Sequence, residues 1–236
     1  MTATRFRALI AACPPLLVAV FIGKLWVTGT LGYYVNNRTI WIVIIGGLLF
    51  TCVGAVTLWR STQDAEHDGL RLSWRTLVFL VPVAIGIALP ARPLSASSGQ
   101  SSSLGALQLA SHVSSGSPGD TFGYWVSELG GHPDAAWWAG KKVSLVGFVS
   151  QGSGLPSRSF ILGRYLVTCC VVDATLFGFP VQLLDSQRVP AQGAWIQVSG
   201  TFGRRYWTDP SGEQYPLIEH ARIVPARIPS SPYLSP

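Results

Sequence analysis

IWIVIIGGLLFTCVGAVTLW, residues Ile40–Trp59, is a run of twenty residues without one charged side chain. At 1.5 Å per residue a helix of this length covers about 30 Å, the thickness of a bilayer's hydrocarbon core. Trp41 and Trp59 stand near its two ends, where amphipathic rings favour the membrane interface. The run therefore predicts a membrane-spanning helix. Gly46, Gly47 and Gly54 leave room for a second helix to approach closely, although glycines of this kind are also tolerated facing lipid.

A second apolar run precedes it and a third follows. Ala8–Val27 (ALIAACPPLLVAVFIGKLWV) is long enough to span, with Pro14 and Pro15 expected to bend its first half and Lys24 expected to reach the headgroups from its far end. Thr76–Ala91 (TLVFLVPVAIGIALPA) is shorter and holds Pro82, so either a buried segment or a third span suits it. Trp74 and Arg75 on one side and Arg92 on the other favour the span. Ile10-Ala11-Ala12-Cys13 looks like the tail of a lipid-attachment signal, but too few apolar residues precede it and the chain stays apolar beyond it. Cys13 is expected to be an ordinary helix residue.

The rest of the composition agrees. Only 12% of the chain is charged, roughly half of what a soluble protein carries. Within residues 1–90, Lys and Arg number seven and Asp and Glu three, and apart from Lys24 they lie outside or near the ends of the apolar runs. Arg5, Arg7, Arg60, Arg71 and Arg75 outweigh Arg38 and Arg92, which predicts a cytoplasmic N-terminus in a multi-pass protein of the cell membrane. Three spans would place the C-terminal domain outside the cytoplasm and two would place it inside; three is the expectation.

After residue 93 the character changes. Leu94–Asp120 is dominated by Ser and Gly and is expected to be a flexible tether, with a short apolar patch at Leu104–Leu109. Thr121–Leu129 sets Phe122, Trp125, Val126 and Leu129 at helical spacing, with Asp120 or Thr121 as cap and Gly130-Gly131 as terminator. Strands are expected at Lys142–Gln151, Phe160–Cys170, Phe179–Leu184, Ala194–Phe202 and Leu217–Val224, separated by Gly-, Pro-, Ser- and Asp-rich turns. Five short strands predict a small OB-like Greek-key barrel over 121–226, followed by a disordered tail over 227–236. The fold class is thus a membrane α-helical N-terminal region, residues 1–93, joined to a small mostly-β C-terminal domain with a short preceding helix. From residue 121 onward nine Lys and Arg oppose seven Asp and Glu, too even a balance for a nucleic-acid partner.

Few residues offer chemistry. Cys169 and Cys170 sit at the end of the second expected strand, where neighbours face opposite ways, one toward the core and one outward. With Asp173 they supply two soft sulfurs and a carboxylate, a partial set for a transition-metal ion or a metalloid. The same cysteines also suit a role as small buried hydrophobes. Arg164 could lower a thiol pKa or pair with Asp173. The pair Glu219–His220 is expected to be a surface pair. Lys141-Lys142 and Arg204-Arg205 are expected to begin or end strands, and Trp137-Trp138 to join the core in preference to lining a groove. No G-x-S-x-G elbow, phosphate loop or dinucleotide fingerprint is present, so no enzymatic activity is expected.

Gly23-Lys24-Leu25, Tyr34-Val35-x-x-Arg38 and Gly140-Lys141-Lys142-Val143 through Gly147-Phe148-Val149 occur in that order. They are followed by Arg164-Tyr165-x-x-x-Cys169-Cys170-x-x-Asp173-Ala174 and Trp195-x-x-Val198-x-Gly200. This series resembles a bacterial family of membrane-anchored permease subunits that carry a domain of unknown function with a Cys-Cys-x-x-Asp motif. The resemblance implies a multi-spanning permease and the lipid bilayer as partners, and a non-enzymatic accessory role. It makes Arg164, Cys169, Cys170 and Asp173 the motif residues without assigning them roles. The long Ser-rich tether departs from the pattern. Two other readings remain from the residues: a membrane-anchored thiol redox enzyme or sensor using Cys169 and Cys170, and a structural docking module.

Overall fold

A computed structural model describes residues 3–63, 81, 83–94, 104, 110–113, 121–184 and 187–236. The chain forms two compact units, Met1–Arg92 and Pro93–Pro236. Of the sequence expectations, Arg71, Trp74, Arg75, the start of the third apolar run, Pro82, Asp120 and most of the Ser/Gly interval lie outside the described residues.

The first unit is built on two helices, α1 (Ala3–Val27) and α2 (Ile40–Gln63). α1 stays helical through Pro14 and Pro15. A short 3-10 turn, Leu31–Tyr33, lies between the helices, and buried Asn36 then accepts from the Arg38 amide at 3.0 Å. The helices meet across glycine. A Cβ placed on Gly54 would come within 2.6 Å of Leu16 and one on Gly47 within 3.2 Å of Ile22, whereas Gly46 has open space. The opposite side of α2 is apolar and exposed, with Ile42, Ile45, Leu49, Val53 and Val56 at helical spacing. Among the described residues, one helix, Ile40–Arg60, is long and apolar enough to cross a membrane. Of the third run, residues 83–88 are helical, and Lys24 donates Nζ to the Ile87 carbonyl at 2.7 Å. A cation suits the free carbonyls at a helix C-terminus.

The second unit is a closed barrel of five strands in the order β1-β2-β3-β5-β4. They are β1 (Lys142–Ser150), β2 (Ser159–Leu166), β3 (Thr175–Leu183), β4 (Trp195–Thr208) and β5 (Gln214–Pro225). All neighbours pair antiparallel except β3 with β5. Gly163 and Gly178 face each other across β2 and β3, and a Cβ on Gly178 would sit 2.5 Å from the Leu162 carbonyl oxygen, so the close approach requires glycine. Helix α3 (Thr121–Leu129) buries Phe122, Val126 and Leu129 against the barrel, as its spacing predicts. Thr121 does not cap that helix but donates Oγ1 to the Ser144 carbonyl of β1 at 2.8 Å. Helix α4 (Ala135–Trp138) is capped by Asp134, which accepts from the Ala136 amide at 2.9 Å. Trp138 is fully buried, its indole donating to the His132 carbonyl at 2.8 Å.

Several expectations are corrected. β2 ends at Leu166, four residues before Cys170, because the carboxylate of Asp173 captures the amides that would have continued the ladder. β4 runs through Arg204 and Arg205 to Thr208; the pair is exposed beside an irregularity in the β4–β5 register. Glu219 is bound by Arg205, whose Nε donates to Oε1 at 2.8 Å, and His220 adopts the left-handed conformation at φ 52° in β5. The Ser/Gly interval is not wholly a tether, since Leu104, Ala110 and Val113 are buried in the barrel core. The tail over 227–236 is not disordered: Tyr233 and Leu234 are buried, and Leu234 forms a parallel bridge with Leu166. Apolar side chains in these two segments pack into the barrel core, and Leu234 also pairs with the end of β2, contacts that local composition does not reveal.

Candidate functional site

The chain leaves β2 at Leu166 and turns into a short 3-10 helix, Val171–Asp173, before β3. Asp173 organises the corner. Its Oδ1 accepts from the Thr168 amide at 2.9 Å, and its Oδ2 accepts from the amides of Cys169 at 2.7 Å and Cys170 at 3.4 Å. The Asp173 amide in turn donates to the Cys170 carbonyl at 3.0 Å. An acidic residue three positions after the cap satisfies amides that a helix start otherwise leaves open.

This turn brings the two thiols to the same side. The sulfurs of Cys169 and Cys170 lie 3.7 Å apart, and the Cys169 thiol donates to Asp173 Oδ2 at 2.9 Å. The expectation that the two cysteines face opposite ways depended on an extended strand, and the strand has ended before them. One ligand atom from each of Cys169, Cys170 and Asp173 falls within 4.8 Å of the others. Cys169 is exposed and Cys170 and Asp173 are half-buried, so neither thiol is a core residue. Val172, beside them, is 91% exposed, which makes the corner a projection open to solvent.

The electrostatics follow from the bonds. The Cys169 thiol is pushed up to about 11, first by its hydrogen bond to Asp173 and then by the one to Cys170. Burial raises the Asp173 carboxyl, but the Cys169 thiol and the amides of Cys169, Thr168 and Cys170 outweigh it and leave the carboxyl below its ordinary value. At neutral pH the corner is a carboxylate holding a protonated thiol.

Arg164 is buried in the barrel unit. Its Nη2 donates to the Ser231 carbonyl at 2.7 Å, and its guanidinium lies 5.7 Å from the ring centroid of Phe122. It thus binds the segment after β5. Nothing in the sequence pattern pointed to Ser231, Tyr233 or Leu234 as neighbours of the motif. The only available signal was two apolar residues, Tyr233 and Leu234, in an otherwise Pro- and Ser-rich end. Trp137 packs half-buried against the core beside Trp125 and Trp138, as expected, while His132 stacks on it at 3.7 Å and 9° and Lys141 Nζ lies 2.7 Å from its ring centroid.

Fold and site together define a class of protein: an apolar helical unit followed by a five-stranded closed barrel that bears a dithiol–carboxylate corner. The DUF1980 C-terminal domain matches residues 119–236, half of the chain, a range that takes in α3, α4, the whole barrel and the segment after β5. The chain belongs to the DUF1980 family. Neither a curated protein nor a solved structure matches it.

Proposed function

We propose that this protein is a non-enzymatic, membrane-anchored accessory subunit of a multi-spanning permease. In this reading its barrel, of OB-like strand order, takes a soft metal or metalloid ion at Cys169, Cys170 and Asp173. The convergence of those three ligand atoms within 4.8 Å carries the reading. An ion held tetrahedrally at about 2.3 Å from each sulfur separates the sulfurs by about 3.8 Å, close to the 3.7 Å between these two thiols. The carboxylate oxygen would have to swing outward by about 0.7 Å from its hydrogen bond to make room for the ion. Two sulfurs and one oxygen favour thiophilic ions over magnesium or calcium.

Anchoring is supported by the uncharged run of α2 and by its exposed apolar face of Ile42, Ile45, Leu49, Val53 and Val56, which water solvates poorly. A permease as partner is supported by the resemblance of the Arg164–Ala174 motif and its flanking segments. The thiol redox reading is weakened by the pKa of about 11 at Cys169, since the thiolate is the nucleophile and almost none of it is present at neutral pH.

The test is metal titration of the full chain in detergent under reducing conditions. Zinc and copper(I) are compared on the natural protein and on a Cys169→Ser/Cys170→Ser variant. Stoichiometric binding lost in the variant is the expected result. Equal binding by both proteins, or by neither, would remove the corner from the function.

A further inference from the structure

We propose that Ser231–Leu234 is a positioning strap for the Cys169–Cys170–Asp173 corner, and that its docking on β2 sets the geometry in which the three ligand atoms converge. The inference rests on the reading of that corner as a soft-ion site and adds to it the element that controls it.

The barrel pairing leaves a place for such a strap. β1 pairs with β2 only over Ile161–Gly163, so the last turn of β2, Arg164–Leu166, is paired with β3 on one edge and not with β1 on the other. The strap occupies that second edge. The Leu234 amide donates to the Tyr165 carbonyl at 2.8 Å, the Val167 amide donates to the Leu234 carbonyl at 3.1 Å, and Leu166 and Leu234 form a parallel bridge. The Leu234 side chain is only 2% exposed and locks the strap into the core. Arg164 adds its bond to the Ser231 carbonyl, and the Leu94 amide donates to the Tyr233 hydroxyl at 2.8 Å.

These bonds end where the corner begins. Val167, held by the strap, is followed directly by Thr168, Cys169 and Cys170, whose amides are held by Asp173. The strap fixes the chain going into the turn and Asp173 fixes it coming out. With the strap released, residues 164–167 lose their second row of backbone partners, and Asp173 alone must hold a frayed strand end. The motif Arg164-Tyr165-x-x-x-Cys169-Cys170-x-x-Asp173 is then one device: its first two residues bind the strap and its last three present the ligands. The DUF1980 C-terminal domain extends over the strap to residue 236, consistent with the segment being part of the domain.

The experiment compares the natural full chain in detergent with Leu234→Asp, which expels the strap. Val181→Ala serves as a reference that weakens the barrel core at the opposite end of β2, where Val181 pairs with Phe160. Backbone hydrogen exchange and zinc affinity are both read. The expected result is at least tenfold faster exchange at Val167–Cys170 in Leu234→Asp, with the β4–β5 hairpin unchanged, and at least tenfold weaker zinc binding, neither of which Val181→Ala produces. Unchanged exchange at Val167–Cys170, or unchanged zinc affinity with the strap released, would overturn the strap. If the natural protein binds no zinc, the soft-ion reading fails, while the exchange arm still decides whether the strap orders the corner. Should Leu234→Asp not fold, Arg164→Met is read in the same way, with recovery in Arg164→Lys expected because a donor to Ser231 is restored. Failure of lysine to restore exchange protection would count against the strap.

Discussion

Asp173 does two jobs with one carboxylate. It accepts three consecutive backbone amides and the Cys169 thiol, so it shapes the turn and keeps the thiol protonated. Asp173→Ala should therefore cost about 1–2 kcal/mol, the range for losing a side chain that caps a helix start. The same change should release the Cys169 thiol from about 11 toward its ordinary value near 9. About a hundredfold more thiolate at pH 7, offset in part by the weaker nucleophilicity of a less basic sulfur, predicts roughly tenfold faster alkylation of Cys169. Iodoacetamide labelling followed by peptide mass analysis reads this directly, and slower or unchanged labelling would mean that Asp173 does not hold the thiol. The Cys-Cys-x-x-Asp spacing was legible in the sequence as a possible ligand set. The direction of the sulfurs was not, because it depends on where β2 stops, and that is decided by a competition for amides between the barrel ladder and one side chain.

In the first unit the contact between helices depends on which glycine lies under a large neighbour. Gly54 sits under Leu16 and Gly47 under Ile22, while Gly46 faces open space. Gly54→Ile should destabilise the helix pair and Gly46→Ile should leave it unchanged, a contrast that thermal unfolding of the full chain in detergent can read. Equal effects at the two positions would mean that α1 and α2 do not meet on this face. The apolar runs and their glycines were readable from composition, but one glycine cannot be told from the next without knowing how α2 is rotated. In the barrel, the strand cores were readable by alternation and the ends were not. Arg204 and Arg205 look like a strand terminus, yet β4 carries them through on its exposed side, with Arg205 bonded to Glu219 and, at 2.6 Å, to Gln182 of β3. A charged pair ends a strand only if the barrel has no solvated position to give it.

For the barrel unit as a whole, buried tyrosines set an alkaline limit. Tyr215 is raised well above its ordinary value by burial, with its hydrogen bond to Glu213 adding to the effect, and Tyr165 is raised by burial. A group whose folded pKa lies above its unfolded one stabilises the fold fully below the unfolded value and loses that contribution as pH rises toward the folded value. Unfolding free energy should thus fall as pH rises past about 10, the unfolded tyrosine value, after a smaller loss that begins near pH 9 from the raised Cys169 thiol. Tyr215→Phe should flatten the fall at a cost near 1 kcal/mol for the lost hydrogen bond, as urea unfolding at several pH values would report. An alkaline limb of unchanged steepness in the variant would exclude Tyr215 as its source. The sequence by itself determined the apolar helical half, the five strands, the helix Thr121–Leu129 and the spacing of Cys169, Cys170 and Asp173, because periodicity, composition and spacing are local properties of a chain. Tertiary structure alone decided that Leu104, Ala110, Val113, Tyr233 and Leu234 belong to the barrel core, that Arg164 reaches Ser231, and that two adjacent thiols point the same way. The first two are contacts between segments far apart in the chain, and the third follows from a strand end at which Asp173 takes the next amides, a competition decided only against the folded barrel ladder.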